Sequence, residues 1–159
     1  MFAADNSQDF LGQLSAFFNS RQCAPFLVGG YLRDSLLSIP SNDIDIAVPG
    51  DPQALGQALA QLLAGTYIPL SRAHSVCRIV STDQAGQKWN VDLAGFSGNI
   101  EEDLARRDFT VDSLALPLDS RSVNRWMLVS GVTGQWRDEV IDPTGGIADL
   151  AHNRIRVTH

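Results

Sequence analysis

The chain has 159 residues, 44% hydrophobic and 19% charged, with a formal net charge of −6 at pH 7. That length suits one domain with a core of its own, and the composition excludes a disordered chain. No apolar run approaches the roughly 18 residues of a membrane span. Lys88 is the one lysine among twelve basic residues, so most of any grip on nucleic acid must come from elsewhere than a basic surface of this chain.

The N-terminus, "MFAADNSQDF", lacks the basic start and apolar stretch of a signal peptide, which makes a cytoplasmic location the default. Residues 9–19, "DFLGQLSAFFN", place Phe10, Leu14, Phe17 and Phe18 at helical spacing. Cys23 and Cys77 have no metal-ligand spacing and read as small buried apolar residues. "PFLVGG" reads as a buried strand ended by glycines, and "YLRDSLL" as the helix that follows. "DIDIAV" is the next strand. Asp51 and Pro52 then fit the N-cap and first position of a helix with an apolar stripe of Leu55, Leu59, Leu62 and Leu63, closed by Gly65.

Three short apolar or alternating segments, "YIPLS", "VCRIVST" and "WNVDLAGF", predict a meander of strands. "EEDLARRDFTVDSLAL" predicts a helix, acidic at its start and basic in its middle. Residues 119–138 read mostly as loop or hairpin, and "VIDPTGGIADLAHNRIRV" as a short strand, a turn and a small helix. Trp89, Trp126 and Trp136 read as packing residues rather than base-stacking platforms. The sum is an α/β domain with a small mixed sheet, spanning residues 1–159 with no linker.

The chemistry concentrates in "FLVGGYLRDSLLSIPSNDIDIAV". Alternation along a strand puts Asp43, Asp45 and Ala47 on one face and Ile44, Ile46 and Val48 on the other, the core face. The two carboxylates stand about 7 Å apart along the strand. Like charges that close repel, and burying them is costly. A divalent cation removes both objections, and Mg²⁺ favours one or two carboxylates completed by phosphate oxygens.

Gly29 and Gly30, between strand and helix, let backbone N–H groups approach a phosphate. Arg33, one turn on, offers a charged fork, and Asp34 beside it a hold on that arginine. Asp92 in "WNVDLAGF" is polar between apolar neighbours. If its strand lies beside "DIDIAV", it completes a carboxylate cluster suited to two-metal phosphoryl or nucleotidyl transfer. The histidines His74, His152 and His159 are scattered, which argues against a histidine metal site.

"LVGGYLRDSLL…NDIDIAV", "EEDLARRDFTVDSLAL" and "IDPTGGIADL" together resemble the head domain of the tRNA nucleotidyltransferase and poly(A) polymerase family, of the class that includes bacterial CCA-adding enzymes. The resemblance runs from about Phe26 to the C-terminus, with the motifs in the family's order. It implies the nucleotidyltransferase palm, a mixed or antiparallel small sheet with flanking helices. It makes Asp43 and Asp45 Mg²⁺ ligands, and Gly30, Arg33 and Arg107 nucleotide-binding positions. Asp92 matches the region of the family's third acidic residue. ATP or CTP and the 3′ end of tRNA are the implied partners.

Asp112 stands where the family usually has Asn, which adds a negative charge near the triphosphate. Ser38 stands where the family often has Gly. The segment between Leu93 and Glu101 is short, which points towards CC-adding or a related specificity. The family's neck, body and tail segments would begin near His159, so the expectation is a catalytic head that leaves the RNA grip to them. The alternative is a non-catalytic nucleotide- or metal-binding module on the same fold.

Overall fold

A computed structural model of the chain describes residues 3–71, 73–119, 121–122 and 139–159. Helix α1 (Ala3–Ser20) leads into strand β1 (Phe26–Val28), helix α2 (Gly29–Leu36) and strand β2 (Asp43–Pro49). Helix α3 (Pro52–Leu62) precedes the meander β3 (Thr66–Ser71), β4 (Val76–Thr82) and β5 (Lys88–Phe96). Helix α4 (Ile100–Ala105), a 3-10 turn (Thr110–Asp112), strand β6 (Ala115–Pro117) and helix α5 (Gly146–Ala151) follow. The strands form one six-stranded sheet in the order β3-β4-β5-β2-β1-β6. β2 and β5 run parallel, and the other neighbouring pairs are antiparallel. The expected α/β architecture, a mixed sheet with flanking helices, is the one observed.

The strand period sets the two faces. Ile44, Ile46 and Val48 are 1% exposed or less and point into the main core. They meet Phe10, Leu14 and Phe18 of α1 and Leu59 of α3 within one cluster. Trp89 joins that core, stacked on Phe10 with ring centroids 4.7 Å apart. Val28 and Ala47 belong to a smaller cluster with Ile100 and Leu104 of α4 and Ala115 of β6. This second cluster carries α4 and the segment after it to the polar end of the sheet, beside Asp45.

The N-cap of α3 is as expected: the Asp51 carboxylate accepts from the Gln53 N–H at 2.9 Å, with Pro52 at the first position. Its C-terminus differs. The left-handed residue is Ala64 (φ 49°), one before Gly65. Gly65 N–H reaches the Ala60 carbonyl at 2.8 Å, a Schellman closure. Gly65 is required for another reason: a Cβ there would lie 2.6 Å from the Val80 carbonyl oxygen of β4.

The helix expected through "EEDLARRDFTVDSLAL" is a correction. It stops at Ala105, and the segment continues as a 3-10 turn and a strand. Tertiary partners override the local pattern: Phe109 pairs with Val157 in an isolated bridge, Thr110 N–H donates to the Arg156 carbonyl at 3.0 Å, and Ala115–Pro117 pairs with β1. The β-branched Thr110 and Val111 also weaken a helix there. The loop expected over 119–138 falls mostly outside the described residues, as do Trp126 and Trp136. Cys77 is buried as expected, while Cys23 is half-buried.

Candidate active site

β1 ends at Val28, and the chain turns at Gly29 with φ +64°, a conformation that favours glycine. A Cβ on Gly29 would lie 3.4 Å from a terminal nitrogen of Arg107 and 3.6 Å from Asp45 Oδ2. On Gly30 it would lie 3.3 Å from a terminal nitrogen of Arg33 and 3.7 Å from the same Asp45 oxygen. The glycine pair is thus wrapped by two guanidiniums and one carboxylate. A cavity of about 430 Å³ opens here, with Gly30, Arg33, Asp45, Asp92, Arg107 and Asp112 on its wall. A larger cavity of about 500 Å³ between α1 and the β1–β6 edge has Asp119 as its one charged lining residue among the described residues. Among the described residues, an anion or a cation finds no comparable set of partners there.

Asp45 is half-buried and accepts a hydrogen bond from the Tyr31 N–H, in the first turn of α2. The Gly29 N–H goes to the Leu114 carbonyl at 3.3 Å. The start of α2, expected as a phosphate cradle, therefore spends one of its N–H groups on Asp45. Burial, and then the facing Asp92, push the Asp45 carboxyl up to about 6, against the opposing pull of the Tyr31 N–H and of Arg107.

Asp43 shares that face but sits exposed at the start of β2, off the cavity wall. Its Oδ1 accepts from Asn90 Nδ2 at 2.8 Å. Asp92 stands beside Asp45 in register across the parallel β2–β5 pair, as the condition placed on it required. Its carboxylate is already taken: Arg78 of β4 forks onto it, Nε–Oδ1 at 2.7 Å and Nη2–Oδ2 at 2.9 Å. Sequence reasoning missed Arg78, because nothing local to "VCRIVST" reveals the antiparallel register that sets it opposite Asp92. Among the described residues, no group of three or more His, Cys, Asp or Glu side chains converges as a metal site.

The cations are tethered unequally. Arg33 is bonded to Asp34 from Nε at 3.0 Å and to Asp112 from Nη1 at 2.5 Å, so the anticipated hold by Asp34 is present. Arg107 reaches the site from the segment after α4 and donates to Asp103 at 3.2 Å. Its Nε is buried with no partner among the described residues. What Arg107 turns towards the cavity is its other terminal nitrogen, the one beside Gly29.

The third motif is scaffold. Asp142 accepts from the Gly146 and Ile147 N–H groups at 2.7 and 3.1 Å, which starts α5. Asp149 of α5 accepts from Thr110 Oγ1 at 2.6 Å and from Arg156 Nε at 3.0 Å. These bonds fix the 3-10 turn that carries Asp112.

Residues 25–156 match the family described as the poly A polymerase head domain. The chain is 37% identical over 131 residues to the CC-adding tRNA nucleotidyltransferase of Geobacter sulfurreducens, covering 82% of this chain and 26% of that protein. It is 35% identical over 131 residues to the A-adding tRNA nucleotidyltransferase of Deinococcus radiodurans, covering 82% and 25%. Among solved structures it resembles the Thermotoga maritima CCA-adding enzyme complexed with tRNA. That likeness has a TM-score of 0.72 and 27% identity over 95% of this chain and 32% of the other. The chain spans about a quarter of the length of these curated relatives.

Proposed function

The chain belongs to the poly A polymerase head-domain family, and from that premise we propose that it is the catalytic head of an RNA 3′-end nucleotidyltransferase. It transfers CMP or AMP from CTP or ATP to the 3′-hydroxyl of tRNA in the cytoplasm, without a template. The observation that carries this reading is the cavity that brings Asp45, the Gly29–Gly30 turn, Arg33 and Arg107 together. The relatives' names, CC-adding and A-adding tRNA nucleotidyltransferase, support the substrate class and leave the choice of base open. The short 93–101 segment points towards CC addition or a related specificity.

The donor set fits Mg²⁺. Asp43 and Asp45 offer hard oxygen ligands on one face, and Asp45 carries a charge that burial and Asp92 disfavour. These two residues would hold the ion, which when bound supplies positive charge to the triphosphate and to the leaving pyrophosphate. Arg107, through the terminal nitrogen beside Gly29, holds the phosphates at the mouth of the Gly29–Gly30 turn, and Arg33 flanks them from α2. The Tyr31 N–H keeps the Asp45 carboxylate aimed at the cavity. Asp92, gripped by Arg78, stands beside Asp45 on the next strand. No side-chain base is needed, since the glycine turn and the arginines act by positioning and charge.

Release of pyrophosphate from CTP or ATP in the presence of a tRNA stripped of its 3′ end, by the head joined to RNA-gripping neck, body and tail segments, tests this reading. Release that requires both Mg²⁺ and the RNA supports it. Nucleotide binding without release would leave the non-catalytic module.

A further inference from the structure

The arginines of the cavity differ in how far their own carboxylates occupy them. Arg107 spends one terminal nitrogen on Asp103 and turns the other to the Gly29 turn. Arg33 has all three nitrogens engaged: Nε and Nη2 on Asp34 Oδ1, each at 3.0 Å, and Nη1 on Asp112 Oδ1 at 2.5 Å. Asp34 is its neighbour on α2 and moves with it. Asp112 comes from another element, the 3-10 turn 79 residues later, which α5 anchors through Thr110 and Asp149. The Arg33 and Asp112 side chains are 33% and 31% exposed, and both lie on the cavity wall. The pair therefore faces whatever enters.

We propose that Asp112 is a built-in competitor for the phosphates of the nucleotide: it holds the Nη1 edge of Arg33 and keeps the affinity of the cavity for a triphosphate low. A phosphate oxygen that takes this edge must displace the Asp112 carboxylate or lie beside it. Displacement breaks a charge-assisted hydrogen bond, and coexistence sets two anions against one guanidinium. Either route lowers affinity in proportion to the charge of the ligand. A carboxamide of the same shape at position 112 keeps an acceptor for Arg33 and removes the rival charge. The inference rests on the cavity being a nucleoside triphosphate site, and it names the residue that tunes that site. Asp112 acts through Arg33, so it is a positioning residue.

Calorimetric titration of the full chain with CTP, CMP and cytidine, each with Mg²⁺, tests this for wild type, Asp112→Asn, Arg33→Gln and the double variant. Asp112→Asn tightens CTP about tenfold, the scale of one charge-assisted bond in a half-exposed site. It tightens CMP less and leaves cytidine unchanged. The gain vanishes in the Arg33→Gln background. Asp112→Ser, which also lacks the charge, reports the same trend should the amide variant fold poorly. CTP binding that weakens or stays level in Asp112→Asn overturns the inference and makes Asp112 a support for Arg33. If wild type and every variant fail to bind CTP, the triphosphate reading of the cavity fails, and the inference with it.

Discussion

Asp45 on β2 and Asp92 on β5 stand side by side in parallel register, and Arg78 on β4 extends the row by forking onto Asp92. The two carboxylates therefore have different duties. Asp45 faces the cavity with a charge that burial disfavours, while Asp92 is balanced from within the chain. Asp45→Asn keeps an acceptor for the Tyr31 N–H but loses the charge. It lowers single-turnover CMP transfer by about a thousandfold or more, as expected for a group that acts on the transition state. Asp92→Asn removes a like charge beside Asp45 and costs less, about 10- to 100-fold, the range for a residue outside the ligand set. Equal losses in the two variants would place Asp92 in the ligand set itself.

Ser38 follows α2 with φ +57°, in the left-handed position of a Schellman closure. The Ile39 N–H bonds to the Asp34 carbonyl at 2.8 Å and the Ser38 N–H to the Ser35 carbonyl at 3.1 Å. A non-glycine residue there is strained by about 1–2 kcal/mol, partly offset by the greater unfolded-state freedom of glycine. Ser38→Gly should stabilise the protein by about 0.5–1 kcal/mol, read from urea unfolding midpoints at unchanged m-value. An unchanged or lower midpoint would contradict this.

Ser38 also shows what the sequence could and could not convey. Its glycine-favouring position was visible as a departure from the family pattern, but the reason lies in a backbone angle. The strand "DIDIAV", the N-cap at Asp51 and the meander were legible because periodicity and capping are local. The failed helix over 101–116 was not, since its competitors come from far along the chain: Arg156, Val157 and the edge of β1. The same holds in the site. Arg33 and Asp34 are adjacent and their pairing could be anticipated, whereas Arg78 with Asp92 and Arg33 with Asp112 depend on register and on a turn held by α5.

Gly146 is where that hold is tightest. A Cβ there would meet the Thr110 carbonyl oxygen at 2.1 Å and its carbon at 2.8 Å, both backbone atoms. Gly146→Ala must push α5 away from the 3-10 turn, at a cost of about 2 kcal/mol or more. Thermal unfolding should show the loss, and CTP affinity should change with it because Asp112 moves. A variant as stable as wild type would mean that α5 does not brace the turn.

The same contact sets a pH dependence. The hydrogen bond from Thr110, and then Arg156, hold the buried Asp149 carboxyl below its ordinary value. A depressed carboxyl stabilises the fold above its unfolded value of about 3.9 and loses that stabilisation as pH falls through the folded value. Thr110→Val removes the largest hold while burial remains, so the midpoint of acid unfolding should move to higher pH. An acid midpoint unchanged from wild type would show that Arg156 and Arg154 hold Asp149 without Thr110.

The central claim is that Asp43 and Asp45 serve nucleotidyl transfer, and incorporation of labelled CTP and ATP, supplied separately, onto a tRNA lacking its 3′ end tests it most directly. With the head joined to RNA-gripping neck, body and tail segments, Mg²⁺-dependent extension is expected, and it is lost in both Asp43→Ala and Asp45→Ala. Extension that persists in either variant, or Mg²⁺-dependent nucleotide binding with no extension at all, would contradict it.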